Sequence, residues 1–593
     1  MTTRATRSPR RRTVVALAVI LSILAAFIVR LVDIQVVNAD EHVNESLNYL
    51  SGGKTIAGQR GTIVDADGTV LAESVTVYDA QLSPQVIRLT EENEKNPPKL
   101  PWAEASTRIA EIAGLDADTL RADVAAALAE NPDSQYLFLK KGLTTEQYIE
   151  LKDLGVTSYL SMQPREERVY PNGAVAANLV GYLNGAGDAQ TGVEQMAQKC
   201  LAPTDGEISY RSGEGGVVIP GSERTVPAVD GGTVQLTINS DLNWYLQQMI
   251  AEEAQIQGAQ GGTVTVVEVK TGKIRAAAEW PTYDPNDLDA TDPNTWTSKL
   301  FSYPFEPGST FKAITAAAVM ENAGVTPTSP TVSASSRENF PNGAVINDAF
   351  SHPTYNYTLA GALIDSSNVA LSKFGTMVSP DVRYDYLQRF GVGTPTIGFP
   401  AEASGDLHPT SDWDNQSLYT TTFGQYFTVT APQVAGAYQA IANGGEKIDL
   451  SLIESCTDAD GTVHESPAPE HEQIIQQSTA SDLMRMLENV AVQGGNAERI
   501  EVPGYRITSK TGTAQIPDGN GGYKSGVYYT SMVGVAPVDD PQYVVMVTLD
   551  QPTRVTSSAA TATAFQKAMT QVLKTYRVQP STVPMDDLLP KFN

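Results

Sequence analysis

From Thr13 to Val29 seventeen consecutive residues carry no charge and are mostly Val, Ala, Ile, Leu and Phe. That run lies at the short limit for a helix crossing ~30 Å of hydrocarbon. Leu31, Val32 and Ile34 extend it if the Arg30 side chain reaches out to the interface, so the pattern predicts a membrane anchor over residues 13–34. Shorter, mixed elements follow. Arg60 to Ala72 reads as strand, Asp67-Gly68 turn and second strand. Trp102–Gly114, Ala117–Asn131 and Thr145–Leu154 carry apolar residues at helical spacing, with Gly114 a stop signal. Together they predict an α+β module over 38–230 with no cluster of catalytic residue types, suited to a structural or partner-binding role.

A stretch rich in Gly, Ser and Thr over 203–233 marks a boundary. Beyond it the pattern predicts a strand at Thr233–Ile238, a helix at Asp241–Gln255, and a hairpin of Thr263–Val269 with Lys273–Ala278. Three further strands are predicted near the C-terminus, at Tyr505–Gln515, Ser531–Val535 and Tyr543–Leu549, the last two joined by a turn at Asp539-Asp540-Pro541. A long helical middle, from about Ser309 to Asn443, separates the two groups. Strands at both ends of such a segment imply one sheet closed by sequence-distant strands, in a domain over 233–578 followed by a tail at 579–593. The fold class is multidomain α+β.

Charge narrows the function. The chain has 68 acids against 41 bases, a net charge of −27, which leaves no basic excess to neutralise phosphates and argues against nucleic-acid binding. Five arginines nevertheless fall within residues 1–12, just before the apolar run. The positive-inside rule then puts residues 1–12 in the cytoplasm and the rest outside the cell. A cleaved signal peptide is the rival reading; the lack of a small-x-small site before Arg30-Leu-Val-Asp-Ile-Gln favours an uncleaved anchor. Outside the cell Cys200 and Cys456 are free to form a disulfide, but a buried pair of thiols fits the sequence equally well. The five histidines form no ligand pattern, so no metal and no cofactor is expected.

The candidate chemistry begins at Glu306-Pro-Gly-Ser309-Thr-Phe-Lys312, which opens an Ala-rich helix running to Gly324. Ser309 would stand where free backbone N–H groups and the helix dipole favour developing negative charge. Lys312 lies one turn on, along the same face. A serine hydroxyl needs a neighbour to take its proton, and a lysine does this once desolvation or a second cation lowers its pKa. The second element is Ser366-Ser-Asn368, where a hydroxyl relays a proton and an amide holds a substrate carbonyl. The third is Lys510-Thr511-Gly512-Thr513 on a predicted strand. There the two threonines are placed to bind a carboxylate, Gly512 to let a substrate backbone lie close, and Lys510 to depress the pKa of Lys312. Each element alone is weak: Ser51-Gly-Gly-Lys54, Ser46-Leu-Asn48 and Lys270-Thr-Gly272 match by accident. The specific signal is the ordered set in its helix, loop and strand contexts.

With these residues the chain resembles the class B penicillin-binding proteins over nearly its whole length. Lys510-Thr-Gly-Thr-Ala-Gln515 and the Ser309 segment match closely. Arg60-Gly-Thr-Ile-Val-Asp65, Arg168-Val-Tyr-Pro171 and Gly192-Val-Glu194 resemble elements of the family's non-catalytic pedestal. Phe423-Gly-Gln425, Thr430-Ala-Pro-Gln433 and Ala442-Asn-Gly-Gly445 resemble its transpeptidase domain. The tail Tyr576-Arg-Val-Gln-Pro-Ser-Thr-Val-Pro resembles division-specific members of the FtsI type from high-GC Gram-positive bacteria. Two positions depart: Asp65-Ala-Asp-Gly lacks a basic residue common after that Asp, and Tyr426 stands where Gly is frequent.

The resemblance implies a central antiparallel sheet flanked by helices, and a peptidoglycan D,D-transpeptidase working in septal wall synthesis. Ser309 would be acylated by a D-Ala-D-Ala stem peptide, with Lys312 the general base and Ser366 and Lys510 assisting proton transfer. The N–H groups of Ser309 and Thr513 would form the oxyanion hole, and Asn368, Thr511, Gly512 and Thr513 would bind the donor. β-Lactams would acylate the same serine. A membrane glycosyltransferase of the SEDS type and other divisome proteins are the implied partners, because residues 38–230 show no motif for polymerising glycan. A D,D-carboxypeptidase, or a non-catalytic penicillin-binding scaffold or sensor, is the alternative.

Overall fold

The structure, a computed structural model, describes residues 9–38, 51–213, 217–520 and 522–593. Most of the basic tail (residues 1–8), His42, the Ser46/Asn48 pair and 214–216 of the Gly-rich stretch lie outside the described residues. The chain divides into two compact units, Met1–Gln59 with Pro203–Asp230, and Arg60–Ala202 with Gly231–Asn593.

In the first unit Pro9–Val32 is an α-helix that runs on as a π-helical turn, Asp33–Val37. Thr13–Val37 is long and apolar enough to cross a membrane, and Arg30 near its end pairs with Asp33 at 2.5 Å. The same unit holds a small antiparallel sheet of Ser51–Ile56, Gly206–Arg211 and Arg224–Val226. Lys54 of the accidental Ser51-Gly-Gly-Lys54 match is therefore an exposed strand residue.

The second unit begins with the expected strands, Ile63–Val64 and Val70–Leu82. They join a mixed sheet in which Ile63–Val64 runs parallel to Thr233–Leu236. The predicted helices form at Trp102–Ala113, Ala117–Glu130 and Thr145–Asp153, and Gly114 ends the first with φ 66°. Sequence-distant polar residues lock this region together. Glu194 accepts from Arg60 Nε and Arg168 Nε, both at 2.7 Å, and all three side chains are buried. Asp65, also buried, accepts from Ser240 N at 2.9 Å and Ser240 Oγ at 2.6 Å.

Helix α1 (Ser240–Gln257) starts at that contact. Strands β1 (Gly261–Glu268) and β2 (Ile274–Trp280) form the predicted hairpin, turning at Gly272 with φ 69°. The Lys270-Thr-Gly272 match is thus a turn. With β3 (Lys510–Pro517), β4 (Tyr523–Ala536) and β5 (Tyr543–Asp550) they make one antiparallel sheet in the order β2-β1-β5-β4-β3. Apolar residues alternate between its two buried faces. Val264, Val266, Val545 and Val547 meet α1 and the last helix, α6 (Ala562–Thr575), while Val267, Val544 and Met546 join the larger core.

That larger core is built on α2 (Lys312–Ala323), whose first eight residues are all buried, with α3 (Leu359–Ile364), α4 (Asn368–Gly375) and α5 (Gln477–Gln493). Two expectations need correction. The middle segment is not helical throughout: Val332–Ala334 pairs with Tyr355–Tyr357, and Arg337–Asn339 with Val345–Asn347. The third-motif strand begins at Lys510 rather than Tyr505. The preceding residues still lie beside β4, with Thr508 N on the Val535 carbonyl at 2.9 Å and Val538 N on the Arg506 carbonyl at 3.0 Å, but the ladder is interrupted where Ser509 N turns to the Leu487 carbonyl of α5 at 3.2 Å. The two cysteines, left open by the sequence, form a Cys200–Cys456 disulfide with Cα atoms 6.1 Å apart.

Candidate active site

Pro307 and Gly308 turn the chain into a single 3₁₀ turn, Gly308–Phe311, directly ahead of α2. Gly308 has φ 55°, and its N–H bonds the Gly424 carbonyl at 2.8 Å. No side chain fits at Gly424, whose Cβ would lie 2.0 Å from the Gly308 oxygen. The turn holding Ser309 is therefore gripped by the Phe423-Gly-Gln425 segment. Glu306 fastens it further, accepting from Tyr426 N at 2.9 Å and Tyr523 Oη at 2.9 Å, and burial raises its carboxyl above the usual range. Tyr426 has φ 73°, a conformation glycine adopts without strain, which explains why glycine suits that position. The Tyr side chain offsets the strain by bonding the Asp412 carbonyl at 2.9 Å and packing on His408.

Lys312 and Lys510 are both fully buried. Lys312 Nζ donates to the Ser366 carbonyl and, at 3.1 Å, to Ser366 Oγ. Lys510 Nζ donates to the same Oγ at 3.0 Å. Removal from water pushes Lys312 well below the ordinary lysine value, and the nearby Lys510 charge pushes it further, against the opposing pull of Asp348. Burial alone brings Lys510 down to about 7. Two buried lysines at depressed pKa thus share one hydroxyl, with no carboxylate among the described residues bonded to either ammonium, an arrangement suited to moving a proton.

Ser366 has φ 54° and sits between α3 and α4. Ser367 caps α4 and donates from Oγ to Asp348 Oδ2 at 2.7 Å, while Val369 N reaches Asp348 Oδ1 at 2.9 Å. Asn368 already commits one amide hydrogen to the Asn347 carbonyl at 2.9 Å. Along the edge strand β3, Thr511, Thr513 and Gln515 share one face, and Thr513 Oγ1 accepts from Ser558 N at 2.9 Å. Gly512 faces the other way. A Cβ there would lie 2.3 Å from Ser531 Oγ and 2.9 Å from the Pro307 oxygen. The close approach it permits is that of the Ser309 turn, not of a substrate backbone.

Ser309, Ser366, Asn368, Thr511, Thr513 and Tyr528 line one open cavity of about 540 Å³. All three motifs therefore meet, with Lys312 and Lys510 buried behind Ser366. Sequence reasoning missed Asp348, a lone acid with no motif around it, and gave no role to Glu306. Among the described residues no group of three or more His, Cys, Asp or Glu is arranged to hold a metal.

A serine in the turn at the head of a central helix, packed against the edge strand of a five-stranded antiparallel sheet, with two buried lysines converging on a second serine in the same cavity, defines a serine acyl-transfer fold. Residues 262–570 match the family model of the penicillin binding protein transpeptidase domain, and 55–236 that of the penicillin-binding protein dimerisation domain. The chain belongs to the penicillin-binding protein transpeptidase family. It is 32% identical over 597 residues to penicillin-binding protein PbpB of Mycolicibacterium smegmatis, covering 95% of this chain and 90% of that one. It is 27% identical over 571 residues to peptidoglycan D,D-transpeptidase FtsI of Escherichia coli, covering 96% and 92%. It is similar to the crystal structure of penicillin binding protein 3 from Mycobacterium tuberculosis complexed with aztreonam, with TM-score 0.69, 26% identity and coverage of 91% and 100%.

Proposed function

We propose that this protein is a serine-type peptidoglycan D,D-transpeptidase acting in septal wall synthesis. The observation that carries the reading is the convergence of Lys312 and Lys510 on Ser366 Oγ beside the cavity that exposes Ser309. Neutral Lys312 accepts the Ser309 proton as Oγ attacks the penultimate D-Ala carbonyl of a stem peptide. The backbone N–H groups of Ser309 and Thr513 stabilise the oxyanion; the two segments are close, since a Cβ on Gly308 would lie 3.6 Å from Thr513 N. Ser366, fed by the two lysines, returns a proton to the leaving D-Ala amine. The acyl group then passes from Ser309 to an amine of a neighbouring stem. Asn368 and the threonines of β3 hold the donor peptide along an open strand edge, where backbone pairing and carboxylate binding are both accessible. β-Lactams acylate Ser309 in the same way.

In this reading 38–230 is the pedestal and 233–578 the transpeptidase domain. The helix over 13–34 is an uncleaved anchor, with the N-terminus cytoplasmic and the rest outside. The Cys200–Cys456 disulfide supports that orientation, because such bonds persist in oxidising compartments. Glycan polymerisation falls to a membrane partner of the SEDS type within the divisome.

The test is labelling of the full-length protein in detergent with a fluorescent penicillin, beside Ser309→Ala. Stable labelling of the wild type alone is expected. Folded wild type that stays unlabelled sinks the acyl-enzyme reading in favour of a scaffold, and a label lost within seconds points to a hydrolase. Cross-linked rather than trimmed products from a stem-peptide substrate with an acceptor amine separate transpeptidase from carboxypeptidase.

A further inference from the structure

The transpeptidase family match stops at residue 570, yet the chain continues to Asn593 along a defined path. Ser581 Oγ bonds Asp539 at 2.6 Å, Arg506 holds the Val583 and Pro584 carbonyls at 3.3 and 3.2 Å, and Leu589 is buried against α5, its N–H on Asn489 Oδ1 at 2.9 Å. The last residues then close on α3, the six-residue helix that leads into Ser366. Thr358, which caps α3, donates from Oγ1 to the Pro590 carbonyl at 2.7 Å and from its N–H to the Lys591 carbonyl at 3.1 Å. At the other end of α3, Lys591 Nζ bonds Asp365 Oδ1 at 2.8 Å. Phe592 stacks on Tyr355 with ring centres 4.3 Å apart.

We propose that Leu589–Asn593 is a positioning element for Ser366. Ser366 has left-handed backbone geometry, which is strained for an L-residue and persists where its surroundings over-determine it. The tail supplies that determination by gripping α3 at both ends, so that Asp365 and then Ser366 leave the helix at a fixed angle. A second arm reaches the same loop from its far side. Tyr355 lies between Phe592 and His352, His352 Nε2 bonds Asp348 Oδ2 at 2.8 Å, and the same oxygen accepts from Ser367. The register is tight: a Cβ on Gly361 would lie 2.0 Å from the Lys591 oxygen. None of these tail residues touches the cavity, so their effect on the reaction is through the placement of Ser366.

The inference rests on the acyl-enzyme reading above. Its test is the saturation kinetics of fluorescent penicillin labelling on full-length protein in detergent, well below each variant's melting temperature. The variants are a truncation lacking 589–593, Lys591→Met, Lys591→Arg and Gly361→Ala, the last displacing the tail without altering it. For the truncation, Lys591→Met and Gly361→Ala, the limiting acylation rate is expected to fall about 10- to 100-fold, the scale of a catalytic group misplaced by about 1 Å. The half-saturating concentration stays within about twofold, and Lys591→Arg regains most of the rate because it restores the ion pair. If the truncation does not fold, the point variants decide. Variants that melt earlier yet acylate at the wild-type limiting rate, or a Lys591→Arg as slow as Lys591→Met, overturn the inference. Wild type that fails to label overturns the acyl-enzyme reading instead.

Discussion

Lys312 and Lys510 direct their ammonium groups at one oxygen, Ser366 Oγ, from 3.1 and 3.0 Å, and neither side chain touches solvent. Two like charges in that space disfavour double protonation, and the pair titrates as a unit. In the proposed mechanism acylation needs Lys312 neutral, a state that burial and the Lys510 charge favour, and it profits from a charged Lys510, whose pKa burial brings down to about 7. The rate of β-lactam acylation therefore rises out of acid as Lys312 loses its proton and declines again above about 7 as Lys510 loses its own. Lys510→Arg, which stays charged, should keep residual acylation without the alkaline decline; a wild-type profile flat to pH 9 contradicts the assignment.

The same burial bears on stability. A lysine whose folded-state pKa lies below 10.5 is protonated in the unfolded chain while still losing its proton in the fold. Its burial thus destabilises increasingly as pH drops from 10.5 to about 7 and by a constant amount below that. Lys510→Met removes the penalty, so it should abolish acylation yet raise stability at pH 7 by about 1–2 kcal/mol. Near pH 10.5 the gain should vanish. Denaturant titrations at both pH values decide, and an equal gain at each would count against the effect.

Glu194 sits between Arg60 and Arg168 with no exposure of its own. Glu194→Ala strands two buried guanidinium groups and should cost about 3–5 kcal/mol. Acylation per folded molecule should remain near wild type, since the cluster lies outside the cavity. Urea unfolding with parallel penicillin labelling measures both, and a loss below about 1 kcal/mol, the scale of an exposed pair, refutes the packing argument.

Gly512→Ala pushes a methyl group into Ser531 Oγ and the Pro307 oxygen. Overpacking of that kind costs about 1–3 kcal/mol, and here the element that yields is the turn bearing Ser309. A lowered melting temperature and slower acylation are expected together. Slower acylation without any change in melting would mean that the glycine faces substrate after all.

The elements legible in the sequence were those whose signal is local. Gly114 and Gly324 close their helices in the left-handed conformation, as C-terminal glycines do, and the β1–β2 hairpin follows from its alternation and turn. Residues that act across long separations were opaque. Asp348 and Lys591 each look like surface charges until Ser367 and Asp365 arrive from elsewhere in the chain. Tyr505–Ser509 has the composition of a strand and stays beside β4 through Thr508, but the Leu487 carbonyl on α5 takes the Ser509 N–H and interrupts the ladder there. The ordered motif set in its contexts located the cavity because Ser309, Ser366 and Lys510 each stand at an element boundary with a local signature; how the two lysines divide one hydroxyl had no such signature.

The Cys200–Cys456 bond makes a covalent ring of the chain between those two positions. Ser309, Lys312 and Ser366 lie on the ring, while Lys510 and the closing tail hang from it as a single branch. One broken peptide bond inside the ring leaves every group that lines the cavity on one molecule, still tethered to the N-terminal helix. One broken bond between Cys456 and Lys510 instead severs the branch. Backbone damage is therefore tolerated covalently over the longer arc, and the shorter stretch after Cys456 is where a single nick disconnects the two halves of the site.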